Sequence, residues 1–240
     1  MSIEAKHFED LHKASENRGR TVFSNFLGLS ELSVLKSMRP FLTPHFFGGY
    51  ENAERVVAAF GECENKDFPV CLISVKPVNK KFADELSHRD FLGSIMALGI
   101  KRDVIGDIIV SENCGYVFCI ENIASYITEN LKEVKHTTVT AQIVAELPAL
   151  VVPKPETEEF IVSSMRLDVL IAAVFSLSRK SASELFQKEK VFVNGSLKNA
   201  SYTVSNGDSI TVRGFGKFVF VEEKRRTKKD RAVVEIKLYR

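Results

Sequence analysis

The chain has 240 residues, of which 33 are basic and 31 acidic, and its net charge at pH 7 is +2. Its hydrophobic share of 45% is typical of packed globular chains, and one to three domains are expected at this length. No apolar run approaches the ~20 residues that cross a membrane, and the charged residues 1–20 lack the apolar core of a signal peptide.

Cysteine usage predicts a cytoplasmic protein. Cys63, Cys71, Cys114 and Cys119 form no C-x-x-C pair and have no histidine at ligand spacing. Unpaired thiols fit a reducing cytosol better than a disulfide scaffold. We therefore expect no metal site.

The charge is divided unevenly along the chain. Residues 160–240 contain 16 basic and 8 acidic residues, a net charge of +8, whereas residues 1–159 contain 17 and 23, a net charge of −6. Such asymmetry indicates a nucleic-acid contact made mainly by the C-terminal part.

Residues 1–78 predict a small α+β domain. Its expected elements are a helix around Phe8–Ser15, a helix over Leu29–Met38, a short strand or turn at Phe46–Tyr50, a helix over Glu51–Phe60 and a buried strand over Val70–Val75.

Residues 79–147 predict a second α+β domain. Its expected elements are a helix capped by Ser87 and running to Leu98, a hairpin of Asp107–Val110 with Tyr116–Ile120, a helix over Glu121–Leu131 and a strand over Thr137–Val144.

Pro148, Pro153 and Pro155 lie within eight residues of each other and are followed by acidic residues. Proline stiffens a connector and removes backbone donors, so residues 148–159 are expected to form a semi-rigid linker. A third domain, residues 160–240, would follow it.

Residues 165–213 predict two short helices and a small β-meander. Leu167, Leu170, Ile171 and Val174 form one apolar stripe of a helix, and Ser178 is a suitable N-cap for the next. Two Asn-Gly turns follow, at 194–195 and 206–207, each beside alternating apolar residues.

Arg179 and Lys180 lie in the first turn of the second of these helices. Cations are mildly unfavourable there for the helix dipole, so their presence suggests that a ligand supplies the negative charge. Two adjacent cations alone could also belong to a solvated face. The surrounding motif favours RNA.

The order of these parts resembles the S-four-type (alpha-L) RNA-binding module, named after a protein of the small ribosomal subunit. The resemblance implies a set of residues on or near the RNA-facing surface: Arg166, Ser178, Arg179, Lys180, Ser181, Gln187, Lys188 and Lys190. Arg213, which closes the meander, completes the candidate set. The chain departs from the family at Glu189, where glycine is usual, so that residue either adopts a left-handed conformation at ~1 kcal/mol or the helix ends differently.

Four strings extend the resemblance to the whole chain: Gly48-Gly49-Tyr50-Glu51-Asn52-Ala53-Glu54-Arg55, His88-Arg89-Asp90-Phe91-Leu92-Gly93, Leu98-Gly99-Ile100-Lys101-Arg102 and Ile105-Gly106-Asp107-Ile108. In this order they are similar to the bacterial YlmH family. The resemblance implies two N-terminal α+β domains, the second of them RNA-binding, before the C-terminal module. It also implies association with ribosomal RNA and tRNA on the large ribosomal subunit, at peptidyl-tRNA during rescue of obstructed nascent chains, and some members are linked to cell division.

Arg89, Lys101 and Arg102 are candidate secondary RNA contacts because of the domain in which they lie. Lys101 and Arg102 follow a predicted helix C-terminus, where capping electrostatics would equally favour cations. His88-Arg89-Asp90 copies a kinase tripeptide, but the other kinase signatures are missing from the sequence.

Enzyme alternatives are an RNA pseudouridine synthase and a methyltransferase. Arg166-Leu167-Asp168 resembles the synthase string but lies inside the binding module's own helix, without the accompanying Thr-x-Gly. Gly214-Phe215-Gly216 has no following helix to hold a methyl-donor cofactor. We therefore expect a non-enzymatic RNA-binding protein without a cofactor, and a regulatory RNA-binding role remains a further alternative.

Residues 224–231 contain six cations and are expected to form the tip of a long hairpin. Such a run is either simply solvated or reaches further phosphates, and the sequence leaves both interpretations open. The expected partners are RNA and the large ribosomal subunit, with no membrane contact, and a monomer is expected.

Overall fold

The computed structural model describes residues 2–38, 41–149, 151 and 154–239, and these residues form helices and antiparallel sheets, which confirms the predicted α+β class. The helices are α1 (Ile3–Arg18), α2 (Leu29–Ser37), α3 (His88–Ala97), α4 (Glu121–Asn130), α5 (Leu167–Val174) and α6 (Arg179–Gln187). The chain divides into two units, residues 1–31 with 38–152 and residues 32–37 with 153–240.

Three sheets contain the strands. A three-stranded sheet has the order β1-β3-β2, formed by β1 (Val22–Leu27), β2 (His45–Phe47) and β3 (Val56–Phe60). A five-stranded sheet has the order β5-β6-β4-β8-β7, formed by β4 (Val70–Pro77), β5 (Ile105–Ser111), β6 (Cys114–Ile120), β7 (Glu133–Val134) and β8 (Thr137–Val144). The third sheet, of six strands, belongs to the second unit.

The predicted helix over Glu51–Phe60 is wrong. Residues 56–60 form β3, the central strand of the first sheet, and Val57, Ala58 and Ala59 are fully buried there. Strand pairing on both sides satisfies the backbone, and this tertiary setting outweighs the local preference of the alanines for helix.

Strand β4 lies between β6 and β8 in the five-stranded sheet, where Ile73 is opposite both Val117 and Ile143. This pairing places Val70–Pro77 with the elements of the second predicted domain rather than with residues 1–69. Helices α3 and α4 contribute Phe91 and Ile127 to the buried cluster on one face of this sheet.

The other face of the five-stranded sheet meets the three-stranded sheet. Leu72 and Phe118 share a buried cluster with Phe26 and Val57. Because both faces are covered, every residue of β6 is buried, although antiparallel strands commonly leave one face in water.

The predicted start of α3 is confirmed. Ser87 is the N-cap. The carboxylate of Asp90 accepts hydrogen bonds from the backbone N–H of Ser87 at 2.8 Å and from the Ser87 hydroxyl at 2.6 Å. These bonds lower the pKa of Asp90. The carboxylate in His88-Arg89-Asp90 therefore caps a helix.

The carboxylate of Asp107 joins β5 to the loop between β2 and β3. It accepts hydrogen bonds from the Tyr50 hydroxyl (2.8 Å) and from the backbone N–H groups of Glu54 (2.7 Å) and Arg55 (3.1 Å). Burial, and next the charge of Asp107, raise the pKa of Tyr50. Two of the strings that carry the family resemblance thus meet at one partly buried contact.

Arg55 extends this contact to β1. Its guanidinium donates to the carbonyl oxygens of Ile105 at 2.9 Å and Phe26 at 3.0 Å. Gly48 makes the tight loop possible, since a Cβ at that position would lie 2.4 Å from the carbonyl oxygen of Arg55.

The second unit contains a six-stranded antiparallel sheet of order β11-β10-β12-β13-β14-β9. Its strands are β9 (Glu156–Val162), β10 (Val191–Val193), β11 (Ser196–Leu197), β12 (Ser209–Val212), β13 (Gly216–Arg226) and β14 (Ala232–Tyr239). Leu167, Leu170 and Ile171 of α5 are fully buried in its core, as the apolar stripe predicts.

The predicted linker 148–159 requires a correction at its C-terminal end. Glu156 to Glu159 are part of β9, an edge strand that pairs along its length with β14. The acidic run is stabilised by cations of β13, because Glu159 accepts from Arg225 at 3.2 Å and lies 3.5 Å from the Lys224 ammonium. Pro153, on which the linker prediction partly depends, lies outside the described residues.

Replacing Asp107 with asparagine should destabilise the first unit. An amide nitrogen would face one of the N–H donors and leave it unsatisfied, at a cost of about 1–3 kcal/mol in the free energy of unfolding. Denaturant unfolding measures this change. The exposed carboxylate of Asp10 provides the matched control, because Asp10→Asn should change stability by less than ~0.5 kcal/mol. Equal stability of the two variants would contradict the role of Asp107.

Candidate nucleic-acid interface

The start of α6 presents two exposed cations. Ser178 caps this helix, because its hydroxyl accepts from the backbone N–H of Ser181 at 3.0 Å and lies 2.8 Å from the Ser181 hydroxyl. Arg179 and Lys180 follow the cap with exposed side chains, and no acidic residue lies in this first turn. Arg179 is 3.5 Å from the hydroxyl of Ser163, the residue directly after β9.

The end of α6 carries a second group of predicted residues. Gln187 and Lys188 are exposed, and the Lys188 ammonium lies 3.5 Å from the carboxylate of Glu184. Glu189 adopts a φ of +51°, so it takes the left-handed conformation that glycine would adopt at lower cost. Of the two alternatives for this position, the structure therefore shows the left-handed helix end.

Strand pairing brings Lys190 and Arg213 together. The backbone N–H of Arg213 donates to the carbonyl oxygen of Lys190 at 2.9 Å, next to the pair Val191 and Val212. The Arg213 guanidinium lies 4.9 Å from the ring centroid of Phe192. Two cations that are 23 positions apart in the sequence thus share one end of the meander.

Arg166 differs from the other predicted contacts because it is already paired. Its guanidinium donates two hydrogen bonds to Asp168, both at 3.0 Å. These bonds raise the pKa of Arg166. The Arg166-Leu167-Asp168 string is therefore an ion pair at the start of α5, and its net contribution to a positive surface is small.

The secondary candidates lie in the first unit, and their surroundings differ. Arg89 and Lys101 are exposed, whereas Arg102 is half-buried. The Arg102 guanidinium donates to the carbonyl oxygens of Ile105 and of Gly106, the latter at 3.2 Å. Burial, and next the charge of Arg55, lower the pKa of Arg102 to about 10. Arg102 is thus held by the fold.

The hairpin of β13 and β14 divides the basic block 224–231 into two parts. The part on β13 is paired internally: Lys224 with Glu159 and Glu235, Arg225 with Glu159, and Arg226 with Glu223 and Asp230. The other part, Lys228, Lys229 and Arg231, is exposed at the tip.

The tip is an ordered turn at the same end of the sheet as Arg179. Thr227 donates its N–H to the carbonyl oxygen of Arg231 at 2.8 Å. The next residue, Ala232, is opposite Val162, and Val162 precedes the serine that Arg179 contacts. The sheet therefore brings the tip and the start of α6 to one edge.

Phe215 is a surface residue to which the sequence analysis assigned no role. Its side chain is 45% exposed in the turn between β12 and β13, between Arg213 and Lys217. The signal that could have identified it is an aromatic residue between two glycines and two cations, a pattern typical of a surface turn with a displayed ring.

Among the described residues, no group of three or more His, Cys, Asp or Glu side chains is arranged to hold a metal ion. A cleft of about 630 Å³ lies in the first unit, lined by Tyr50, Phe118 and Leu147 among others. In the part of the chain that the structure describes, no helix is long and apolar enough to cross a membrane.

Replacing Glu189 with glycine should stabilise the second unit by up to about 1 kcal/mol, since the left-handed conformation would no longer carry a Cβ penalty. Denaturant unfolding measures this gain. Glu189→Ala is the matched control, because it removes the same charge and retains the strain. A stability gain in the alanine variant as large as in the glycine variant would contradict the conformational explanation.

Comparisons with known proteins extend the resemblance. Residues 63–146 match a protein-family model described as “Putative RNA-binding domain in YlmH”, a range that includes the whole five-stranded sheet with α3 and α4. Ribosome-associated protein quality control protein P2 of Bacillus subtilis (strain 168) is 32% identical over 193 residues, which are 78% of this chain and 74% of that protein.

A solved structure titled cell division protein ylmH from Streptococcus pneumoniae is 23% identical, covers 60% of this chain and 93% of that chain, and superposes with a TM-score of 0.48. Because the Bacillus protein is matched over about three quarters of its length at 32% identity, the chain belongs to the YlmH family.

Proposed function

We propose that this protein binds RNA without modifying it, and that its targets are ribosomal RNA and tRNA on the large ribosomal subunit. Its role would be to stabilise peptidyl-tRNA during the rescue of obstructed nascent chains. The observation that carries the proposal is the pair of exposed cations, Arg179 and Lys180, in a first helical turn without a carboxylate.

The other helices emphasise how unusual this turn is. Each of them has an acidic residue in its first turn: Glu4, Glu31, Asp90, Glu121 and Asp168. Those carboxylates stabilise the positive end of the helix dipole. The N-terminus of α6 instead carries two added positive charges. An external phosphate is the group that would balance the charge of this helix end.

The hairpin tip favours a long contact with an RNA backbone. Lys228, Lys229 and Arg231 lie at the sheet edge where α6 begins, and we infer that they neutralise further phosphates of the same RNA. On this proposal the tip of the basic block binds RNA, whereas the paired cations of β13 stabilise the sheet.

Two findings support the finer assignment to translation. The family model that matches residues 63–146 describes an RNA-binding domain, and the Bacillus relative is named for ribosome-associated quality control. The involvement of tRNA and of the large subunit comes from the family resemblance. Such a role would place the protein in the cytoplasm.

The geometry of the enzyme-like string supports binding rather than chemistry. Asp168, which corresponds in the string to a catalytic carboxylate, is held by both guanidinium hydrogen bonds of Arg166. The carboxylate serves the helix start, and a substrate base would have to displace an ion pair to reach it.

Changing Arg179 and Lys180 together to alanine should weaken binding to a ribosomal RNA fragment and flatten its salt dependence. Each phosphate contact contributes about 0.9 to the log–log slope on duplex DNA, so two lost contacts should reduce the slope by roughly 1–2. Filter binding at several salt concentrations measures both quantities. Arg18 and Arg20, two exposed cations in the first unit outside residues 63–146, provide the matched double-alanine control. An unchanged slope in the α6 variant would disprove this site.

Crosslinking in cells, followed by sequencing of the attached RNA, tests the biological target. The full-length protein should enrich large-subunit ribosomal RNA and tRNA, because a phosphate-binding surface with a second RNA-binding domain can engage both at once. The double alanine variant of α6 is the control for background crosslinks and should lose this enrichment.

Enrichment of messenger RNA or of one small RNA alone would instead indicate a regulatory role. The same RNA, digested to nucleosides after incubation with the protein, should show no new modified nucleoside by mass spectrometry. A new pseudouridine or methylated base that disappears in Asp168→Asn would reveal an enzyme.

A further inference from the structure

Phe215 is displayed at the surface by a tight turn. Its backbone N–H donates to the carbonyl oxygen of Val212 at 2.9 Å, and Gly214 has a φ of +86°, as required at the third position of a type II turn. The ring is 45% exposed, and its centroid lies 5.8 Å from that of Phe175. The turn and the contact with Phe175 restrict the ring before any ligand arrives.

Single exposed apolar residues are common on protein surfaces, so the inference depends on the surroundings of Phe215. Arg213 lies in the turn and its backbone N–H donates to the carbonyl oxygen of Lys190, while Lys217 lies in β13, where its ammonium is 5.4 Å from the ring centroid of Tyr239. Residues 212–218 contain no Asp or Glu. The segment that displays the ring therefore carries two positively charged residues and no negatively charged one.

Phe215 also lies beside the loop that leads into α6. Its neighbour Phe175 is the C-cap of α5, three residues before the N-cap Ser178. The same ring of Phe175 packs against the buried Phe218 at 5.9 Å, which anchors this contact to the core. The ring contact thus places Phe215 beside the connection between α5 and α6.

A ring among cations matches the chemistry of single-stranded RNA. Every base has a π-face that stacks on an aromatic side chain, while adjacent cations bind the neighbouring phosphates. Continuous duplex offers no free π-face, because its bases are stacked on each other. A protein partner with an apolar surface would fit the ring, but it would gain little from contact with Lys190, Arg213 and Lys217.

We propose that Phe215 stacks on an unpaired nucleobase of the bound RNA, with Lys190, Arg213 and Lys217 contacting the phosphates on either side. This inference rests on the proposed RNA binding and specifies its substrate class. The site takes RNA with a bulged or looped-out base rather than uninterrupted duplex.

The chain contains no tryptophan, so Phe215→Trp introduces a single tryptophan, which can be excited at wavelengths that tyrosine does not absorb, at the proposed stacking position. Titration with an RNA duplex that carries one bulged adenosine should quench its fluorescence. The matched RNA has an abasic site at the bulge, so it keeps every phosphate and lacks only the base. It should bind with less quenching. Equal quenching by both RNAs overturns the proposal.

Affinity gives the second measurement. Phe215→Ala should weaken binding of the full-length protein to the bulged RNA about tenfold, within the range that stacking of one base contributes. The salt slope should stay unchanged, because no charge is removed. Phe215→Trp should retain the affinity, and Phe215→Leu, which keeps an apolar contact with Phe175, should not restore it.

The control variant is Phe41→Ala, which removes a ring that is 85% exposed in the first unit, outside residues 63–146, and should leave the affinity as it is. If the wild-type protein binds the bulged RNA and Phe215→Ala binds it equally well, the stacking proposal fails while RNA binding stands. If the wild-type protein binds no RNA at all, the proposed function itself fails. Normal RNA binding with weakened ribosome association in Phe215→Ala would assign the ring to a protein partner and overturn the proposal.

Discussion

The carboxylate of Asp107 is the contact on which the first unit depends. Three donors converge on it, from Tyr50, Glu54 and Arg55, and the Arg55 side chain then reaches the backbone of β1 and β5. A carboxylate that is partly removed from water is costly unless it is hydrogen-bonded, so these three bonds favour one position of the loop between β2 and β3. That position fixes the three-stranded sheet over the face of β6.

In the second unit, a carboxylate that accepts several hydrogen bonds, Asp208, likewise connects two segments of the chain. This carboxylate is 6% exposed and accepts from the Asn194 amide at 2.7 Å, the Tyr202 hydroxyl at 3.0 Å and the N–H of Ser205 at 2.9 Å. It thereby holds the turn after β10 against the segment before β12. The β-meander that carries Lys190 and Arg213 is kept in register by a group outside the proposed RNA surface.

Local signals predicted the elements that local interactions determine. Helix α3 follows from the Ser87–Asp90 capping box, α5 from its apolar stripe, and the turn after β10 from Asn194-Gly195, whose residues both have positive φ. Strand β3 could not be predicted in this way. Its short apolar run fits a buried helix as well as a strand, and only pairing with β1 and β2 decides between them.

In the proposed site, too, the sequence predicts one part of the electrostatics and the tertiary structure determines the other. Sequence locates every cation, but the availability of each depends on partners that the fold supplies. Glu159 neutralises Lys224 and Arg225 from 65 positions away, and the backbone at Gly106 engages Arg102. Since paired cations exchange one carboxylate for a phosphate, they release fewer counterions on RNA binding than exposed cations do. The salt dependence should therefore reflect the cations proposed to contact phosphates, and not the total positive charge of residues 160–240.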